Sequence, residues 1–266
     1  MRTESLIDHL VKSRLAGSVE TSVANTKTKI RRLLADDPNC TFGLSDCSTA
    51  TEESIAQALT LTAGAELDVD DETFGYIDPQ ATIRGIRRYA AVLAPFLTRG
   101  GRNILLATGH PTGLLEHYMV LARELENRGN LLLRVHDDGP DITPATLRLP
   151  ARTMRFVGSV GCVFQGPGNG LSLVHSHLSA YMEAMLDELA AAGQKVDLVI
   201  GDHGMAGAAI ERGIPTLAIA DVNDVALSLA YANKRIDGLF VIDDNLPPHL
   251  FRPVTNCILG IARSHC

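Results

Sequence analysis

The sequence contains no tryptophan, few aromatic residues and only five cysteines among its 266 residues. No two cysteines form a CxxC pair, and their odd number and scattered spacing are typical of reduced thiols in a cytoplasm. No apolar run reaches the roughly 18 uncharged residues that a membrane helix needs. The first residues carry charges throughout instead of the apolar core of a signal peptide. These absences predict a cytoplasmic protein with no membrane partner.

The sequence also lacks an excess of positive charge, with 24 Lys and Arg against 31 Asp and Glu and a net charge of −7. Binding to a phosphate backbone usually requires basic patches, so we expect no nucleic acid partner. A small phosphorylated or anionic metabolite remains compatible with this charge, because a bound metal ion supplies positive charge locally. The sequence leaves the existence of a homodimer open.

Several familiar catalytic motifs are missing as well. There is no Gly-x-Ser-x-Gly elbow, no Gly-Lys-Ser/Thr phosphate loop and no cysteine in a catalytic signature. The segment from Gly201 to Gly207 has the spacing Gly-x-x-Gly-x-x-Gly, in which His203 occupies the place of the close-approach glycine of a dinucleotide site. A Rossmann-type oxidoreductase is therefore disfavoured, and only the detection of bound nicotinamide or flavin would support that hypothesis.

What the chain does contain is a change of pattern near residue 100. Apolar residues recur at helical spacing through residues 1–100, whereas short apolar strands alternate with amphipathic helices from Asn103 onward. This alternation predicts an α/β fold: a three-layer, mainly parallel, Rossmann-like sheet with helices on both faces, preceded by a helical N-terminal region. We expect residues 1–100 to pack on the α/β core of residues 101–266 or to form a lid over it, within one structural domain. The Gly- and Pro-rich residues 166–170 predict a loop.

Three apolar strands near the C-terminus each end in a polar cluster. The clusters are Asp202 and His203 after the first strand, Asp221, Asn223 and Asp224 after the second, and Asp243, Asp244 and Asn245 after the third. Because the carboxyl ends of parallel strands share one edge of the sheet, these side chains are expected to converge on one cleft. Carboxylate and amide oxygens suit a hard divalent cation such as Mg²⁺ or Mn²⁺.

We therefore predict a divalent metal site with ligands from Asp202, Asp221 and Asn223 or Asp224, and with Asp243, Asp244 and Asn245 as further candidates. Each cluster also has a purely structural interpretation. Asp202 can act as a helix N-cap, and the second cluster has the spacing of a capping box. The third cluster is equally compatible with a turn into the last helix.

Histidines form two further candidate groups. His110 lies in the Thr108-Gly109-His110-Pro111 turn, which joins a strand to a helix whose N-terminus can bind an anion. His110 there could ligate a metal, donate a proton or contact phosphate, or it could simply cap the helix. His175 and His177 point to the same face of an extended chain and could share a metal or a phosphate oxygen. The alternative for this pair is a polar lead into the following helix, with Ser176 as its N-cap.

These considerations give a set of predicted roles. The predicted catalytic residues are His110, His203 and Asp202, with one of the two histidines as general acid and base. The predicted substrate or phosphate contacts are Thr108, Gly109, His175, His177 and Gly204, with the backbone N–H groups of the two glycines cradling the phosphate.

Taken in order, these motifs resemble a bacterial, largely actinobacterial, family that is generally labelled "phosphatase". The resemblance rests on these motifs and on the Tyr76-Ile77-Asp78-Pro79 segment, and it spans nearly the whole chain. The strand-end layout is also distantly similar to metal-dependent damage-control phosphatases, which hydrolyse phosphometabolites using Asp and Asn metal ligands. This chain departs from the family pattern at Leu178-Ser179 and at Val225, and neither departure removes a predicted ligand.

The resemblance and the motifs together favour a metal-dependent phosphatase that hydrolyses a small phosphorylated metabolite. Two alternatives remain open at the level of sequence. The first is a lyase, cyclase or isomerase that uses the same site on an anionic metabolite. The second is a non-catalytic protein that binds a small anion, which ligand-induced stabilisation without turnover would reveal.

Overall fold

The computed structural model describes residues 3–137, 142–143, 150–165 and 172–264, so the loop predicted at residues 166–170 lies outside the described residues. The α-helices are α1 (Thr3–Lys12), α2 (Val23–Leu34), α3 (Pro38–Thr41), α4 (Glu52–Ala63), α5 (Pro79–Arg99), α6 (Pro111–Glu126), α7 (Ala180–Ala191), α8 (His203–Glu211), α9 (Val225–Ala232) and α10 (Arg252–Ser264). The strands are β1 (Gly17–Val19), β2 (Gly75–Ile77), β3 (Asn103–Thr108), β4 (Leu131–Leu132), β5 (Arg152–Val157), β6 (Val160–Gln165), β7 (Ser172–Leu173), β8 (Leu198–Asp202), β9 (Thr216–Ala220) and β10 (Gly238–Val241). None of the described helices combines the length and the apolar character that crossing a bilayer requires.

The main sheet has the strand order β10-β9-β8-β3-β6-β5, with β4 beside β3 and β7 beside β6. Strands β10, β9, β8, β3 and β6 are parallel, while β5 and β7 run antiparallel to β6. The prediction of a mainly parallel α/β sheet is confirmed. Strands β4 to β7, which follow β3 in the chain, lie on one side of β3, whereas β8, β9 and β10 lie on its other side. The strand order therefore reverses between β3 and β8. Ligands of open α/β sheets bind at such a reversal, outside the carboxyl ends of the strands.

Helices cover both faces of the sheet. Ile104 and Leu106 of β3 belong to a large apolar core that also contains residues of α5, α6 and α10. The alternate residues Leu105 and Ala107 belong to a second core, which is formed largely with α7. This alternation follows from the two-residue period of a strand, and it confirms the predicted three-layer arrangement.

The N-terminal helices share the larger core with the sheet, and of these α4 and α5 pack directly on it. The longest of them, α5, begins at the N-cap Asp78, whose carboxylate accepts the backbone N–H groups of Gln80 and Ala81. This helix lies against β10, where the Thr82 hydroxyl donates to the Val241 carbonyl at 2.9 Å. The small antiparallel pair β1–β2 was not predicted, because strands of three residues are too short to show a periodicity.

His117 on α6 is a buried histidine with a testable effect on stability. Its Nδ1 lies 2.7 Å from the Thr255 hydroxyl, its Nε2 has no partner among the described residues, and burial lowers its pKa to about 3. Because the folded pKa lies below the ordinary value of about 6.5, unfolding takes up a proton between these two values, and stability falls as the pH drops. From pH 7 to pH 5 the cost is about 2 kcal/mol.

We therefore expect a His117→Phe variant to lose about 2 kcal/mol less stability than the unmodified protein over this interval. Urea unfolding at pH 7 and pH 5 measures the difference. The exposed His249, replaced in the same way, serves as the control. Equal pH dependence in the unmodified protein and the His117→Phe variant would contradict the prediction.

Candidate active site

The carboxyl ends of β3, β8, β9 and β10 open into a cavity of 490 Å³. Side chains from the predicted turn, the histidine pair and all three strand-end clusters line it: His110, His175, His177, His203, Asp221, Asn223, Asp243, Asp244 and Asn245. The fold therefore brings together residues that lie up to 135 positions apart in the chain, at the reversal of strand order where parallel sheets bind ligands.

Asp202 lies fully buried beneath this cavity and connects the ends of β8 and β3. Its Oδ2 accepts the Thr108 hydroxyl at 2.6 Å, and its Oδ1 accepts the Gly109 N–H at 2.7 Å. The Nδ1 of His203 lies 3.1 Å from the same Oδ1. Burial favours a higher pKa for Asp202, but His203 and the Thr108 hydroxyl together hold it below the ordinary value. Asp202 is thus ionised and holds Thr108, Gly109 and His203 in position, but it does not line the cavity.

The structure gives Thr108 and Gly109 a role that differs from the predicted phosphate contact. The Thr108 hydroxyl and the Gly109 N–H both donate to Asp202, so these donors face the buried carboxylate. A side chain at Gly109 would overlap the Ser176 carbonyl oxygen, and the Ser176 N–H donates to the Gly109 carbonyl at 2.8 Å. Glycine at this position lets the end of β3 touch the segment that carries His175 and His177.

The glycines at the start of α8 also permit close packing. A Cβ at Gly204 would overlap the backbone of His177 and Leu178, and a Cβ at Gly207 would overlap the Phe42 carbonyl. The Gly-x-x-Gly spacing seen in the sequence is therefore explained by the close approach of α8 to two other segments. For Gly204 this contact fixes the helix that carries His203 against the chain that carries His177.

His203 occupies a strained position between carboxylates. It is the first residue of α8 and has a φ of 43°, a region that residues with a β-carbon rarely adopt and that is common at functional sites. Its Nε2 lies 3.3 Å from Asp224 Oδ2 and 3.6 Å from Asp244 Oδ2, while its Nδ1 faces Asp202. Burial favours a lower pKa, but Asp224 and Asp202 raise the pKa of His203 well above its ordinary value.

The other three histidines form an array with His203. The rings of His110 and His175 stack at 4.4 Å between centroids, and those of His177 and His203 stack at 4.2 Å. The Nε2 atoms of His175 and His177 are 3.0 Å apart. Burial, together with the charge of His203, lowers the pKa of His175 to about 4 and that of His177 to about 3. Both rings are therefore neutral at pH 7. Nδ1 of His177 lies 3.1 Å from the Asn39 carbonyl and so carries the proton, which leaves Nε2 of His177 to accept from His175 or to bind a metal.

His110 is paired with Asp244, which follows β10. Its Nδ1 lies 3.1 Å from Asp244 Oδ1, and both side chains are almost fully buried. Burial favours a lower pKa for His110, but the neighbouring Asp244 carboxylate outweighs burial and raises the pKa. His110 can therefore carry a proton near neutral pH, as a general acid requires.

The acidic residues after β9 and β10 make different contacts in the site. Asp224 accepts the backbone N–H of Asp221 at 2.9 Å and makes no side-chain cap on α9, so its carboxylate remains turned toward His203. Asp221 accepts the Thr21 hydroxyl, and burial together with the nearby Asp244 and Asp243 carboxylates raises its pKa well above the ordinary value. The carboxylate of Asp243 accepts the Asn245 N–H at 3.1 Å, which is the turn-forming role that the sequence allowed, and the Glu20 N–H at 3.2 Å.

Two overlapping groups of side chains have the spacing of a metal site. They are His110, His175 and His203, and His177, His203 and Asp224, and within each group the donor atoms lie within 4.8 Å of one another. Nδ1 of His110 and Nδ1 of His203 each lie 3.1 Å from a carboxylate oxygen, and Oδ2 of Asp244 lies 3.6 Å from Nε2 of His203, but none of these contacts has the geometry of a hydrogen bond. Buried polar atoms are usually hydrogen-bonded, so this incomplete bonding fits a site built around a ligand.

The N-terminal region supplies one wall of the cavity, which the sequence did not reveal. This wall consists of residues in α2 and just before it: Glu20, Thr21, Ser22, Asn25 and Lys29. Asn223 donates to the Asn25 side chain at 2.8 Å, and Glu20 donates its N–H to Asp243 at 3.2 Å. The only local signal in this segment is Ser22 as the N-cap of α2, and such a signal indicates a helix start but not a site.

Comparisons with known proteins agree with the resemblance to a bacterial phosphatase family that the sequence motifs indicate. The model of a protein family described as "Phosphatase" matches residues 1–265. A protein of Streptomyces coelicolor named Phosphatase SCO2771 is 30% identical over 258 residues, which cover 96% of this chain and 94% of that relative. No solved structure matches the chain.

Proposed function

Because this chain belongs to the Phosphatase family and is a phosphatase, we propose that it hydrolyses the phosphate monoester of a small metabolite with the help of a divalent metal ion. The observation that carries the metal dependence is the pair of overlapping groups at the reversal of strand order, whose histidines line the cavity and whose one aspartate, Asp224, is buried next to His203. The cavity volume of 490 Å³ lies in the range that holds small molecules.

The donor chemistry fits a metal ion, and it bears on which ion. Imidazole nitrogens prefer transition metals, whereas Mg²⁺ prefers an all-oxygen environment. Of the two ions expected from the sequence, we therefore propose Mn²⁺ over Mg²⁺. We propose His177, His203 and Asp224 as ligands, with His203 giving up its Nε2 proton when the ion binds, and with Asp221 and Asn223 as further oxygen donors that line the cavity. When bound, such an ion would polarise the phosphoryl oxygens and lower the pKa of a water molecule.

The remaining residues are assigned to positioning and proton transfer. Asp202 would hold His203 in place, because its carboxylate contacts the ring and is fixed by the Thr108 hydroxyl and the Gly109 N–H. His110 would donate a proton to the leaving oxygen, since the Asp244 carboxylate beside it favours its protonated form. His175, which stacks against the rings of both His110 and His203, is neutral and would contact the phosphoryl group.

Removal of the metal is the direct test of this proposal. We expect chelator-treated protein to lose phosphate release from a panel of phosphometabolites and from p-nitrophenyl phosphate, and to regain it with Mn²⁺ but not with Mg²⁺. Elemental analysis should give at least one transition-metal ion per chain, and reloading should raise the melting temperature, because an ion that binds only the folded state stabilises it.

Two matched variants distinguish the loss of a metal ligand from the general effect of replacing a histidine. A His177→Gln variant should bind less metal, whereas His136→Gln should behave as the unmodified protein, because His136 pairs with Glu188 away from the cavity. Full turnover in metal-free protein would refute the metal dependence. Stabilisation by the anions without phosphate release would favour the binding-protein alternative, and a product other than phosphate would favour a lyase, cyclase or isomerase.

A further inference from the structure

Lys29 contributes a positive charge to the wall of the cavity that includes α2. Among the described residues that line the cavity it is the one lysine or arginine, whereas Glu20, Asp221, Asp243 and Asp244 all contribute carboxyl groups. Lys29 makes no salt bridge with any residue in the described ranges, although its side chain is only partly exposed. The neighbouring Lys27 on the same helix contrasts with it, because Lys27 is paired with Glu72.

The wall around Lys29 is arranged as one polar face of a helix. Ser22, Asn25 and Lys29 follow each other at intervals of three and four residues, which places them on the same side of the start of α2. The Ser22 hydroxyl and the Asn25 and Lys29 side chains all carry hydrogen-bond donors, and a lysine ammonium carries no acceptor. This face thus presents donors and a positive charge to the cavity that the histidines also line.

The polar face of α2 is held in position by bonds to the strand ends. The Thr21 hydroxyl donates to Asp221 and the Asn25 side chain accepts from Asn223 at 2.8 Å. The Asp243 N–H also donates to the Leu15 carbonyl at 2.9 Å. A substrate that fills the cavity would consequently meet two fixed surfaces, one with the histidine and aspartate groups and one with Lys29.

We propose that Lys29, with Ser22 and Asn25, binds a second anionic group of the substrate, such as a carboxylate or another phosphate. This inference rests on the proposed phosphatase function. The phosphoryl group to be removed would lie at the histidine and aspartate groups, and the second anion would lie at the polar face of α2. The preferred substrates would then be phosphorylated acids or bisphosphates of small size, not phosphate esters of neutral alcohols.

The distribution of charge in the cavity favours a second anion on the substrate. The cavity already contains several carboxyl groups, yet none of them pairs with Lys29. An ammonium group at the edge of an acidic cavity and without a partner is available to a ligand of opposite charge, and hydrogen bonds to charged groups are stronger than neutral ones. A neutral alcohol would leave this charge uncompensated by the substrate.

The test compares two substrates in two matched variants. We expect Lys29→Met to raise the KM for 3-phosphoglycerate roughly tenfold or more, with little change in kcat, and to leave kinetics with glycerol 3-phosphate nearly unchanged. Lys27→Met removes the same charge from the same helix outside the cavity, so it should change neither. Equal effects of Lys29→Met on both substrates, or none on either, would overturn the proposal.

A binding measurement separates this inference from the proposed function. Titration calorimetry with 3-phosphoglycerate and with inorganic phosphate, on metal-loaded protein, reports affinity whether or not phosphate is released. Weaker binding of 3-phosphoglycerate in Lys29→Met, with unchanged binding of inorganic phosphate, supports the second-anion site even in a protein without turnover. Unchanged binding of both refutes the site while leaving phosphatase activity itself untouched.

Discussion

An Asp202→Asn variant is expected to fold and to lose roughly 10- to 100-fold in turnover, the usual cost of removing a group that orients a metal ligand such as the proposed ligand His203. The Asp202 carboxylate accepts from the Thr108 hydroxyl and the Gly109 N–H and also contacts the His203 ring. An amide has one acceptor oxygen and a donor group in place of the second oxygen, so it cannot satisfy all three neighbours. The charge that holds His203 is lost at the same time.

The experiment on Asp202 needs three readouts. Turnover, metal content and melting temperature should be measured together, since loss of turnover in an unfolded protein would be uninformative. Asp187→Asn is the matched control, because Asp187 is exposed and pairs with Arg212 on the surface. If Asp202→Asn turned over within a factor of two of the control, the role of Asp202 in positioning His203 would be wrong.

A Gly204→Ala variant is expected to be destabilised by about 3 kcal/mol, at the upper end of the cost of overpacking. The new methyl group would overlap the backbone of His177 and Leu178, and a backbone cannot move aside by a change of rotamer. Either α8 or the His175–His177 segment must shift. Because these two elements carry His203 and His177, we also expect weaker metal binding and loss of turnover.

Gly260 offers a matched control for this substitution. It lies in α10, is exposed, and has no atom within 4 Å of the position that a Cβ would occupy. Alanine is favoured over glycine in a helix by roughly 0.5–1 kcal/mol, so Gly260→Ala should be neutral or slightly stabilising. Thermal or urea unfolding measures both variants. Similar stability of the two would show that the contact between α8 and the histidine segment is not tight.

Much of the fold could be predicted because local sequence patterns indicate where its helices and strands begin and end. The helix from Pro79 and the strand from Asn103 follow from the spacing of apolar residues and from the proline and glycine residues at their ends. The mainly parallel sheet follows from the alternation of strands and helices, since parallel strands require a crossover connection. The convergence of the strand-end clusters then follows from the common direction of the strands.

The division of roles within the site could not be predicted in the same way. A carboxylate at a strand end has the same sequence signature whether it lines the cavity, as Asp221 does, or lies beneath it, as Asp202 does. Thr108 and Gly109 were expected to contact phosphate, but their donors are directed to Asp202. Which partner a donor finds depends on distances between separate elements, and these are set by packing.

The sequence by itself determined the fold class, the edge of the sheet at which the polar residues meet, and the family, because each depends on local periodicity or on ordered motifs. Only the tertiary structure decided that the start of α2 forms a wall of the cavity and that Lys29 faces it. Thr21 and Asp221, which join this wall to the strand ends, are 200 residues apart. No local pattern encodes such a contact, since it arises when the apolar faces of distant helices are buried against the same sheet.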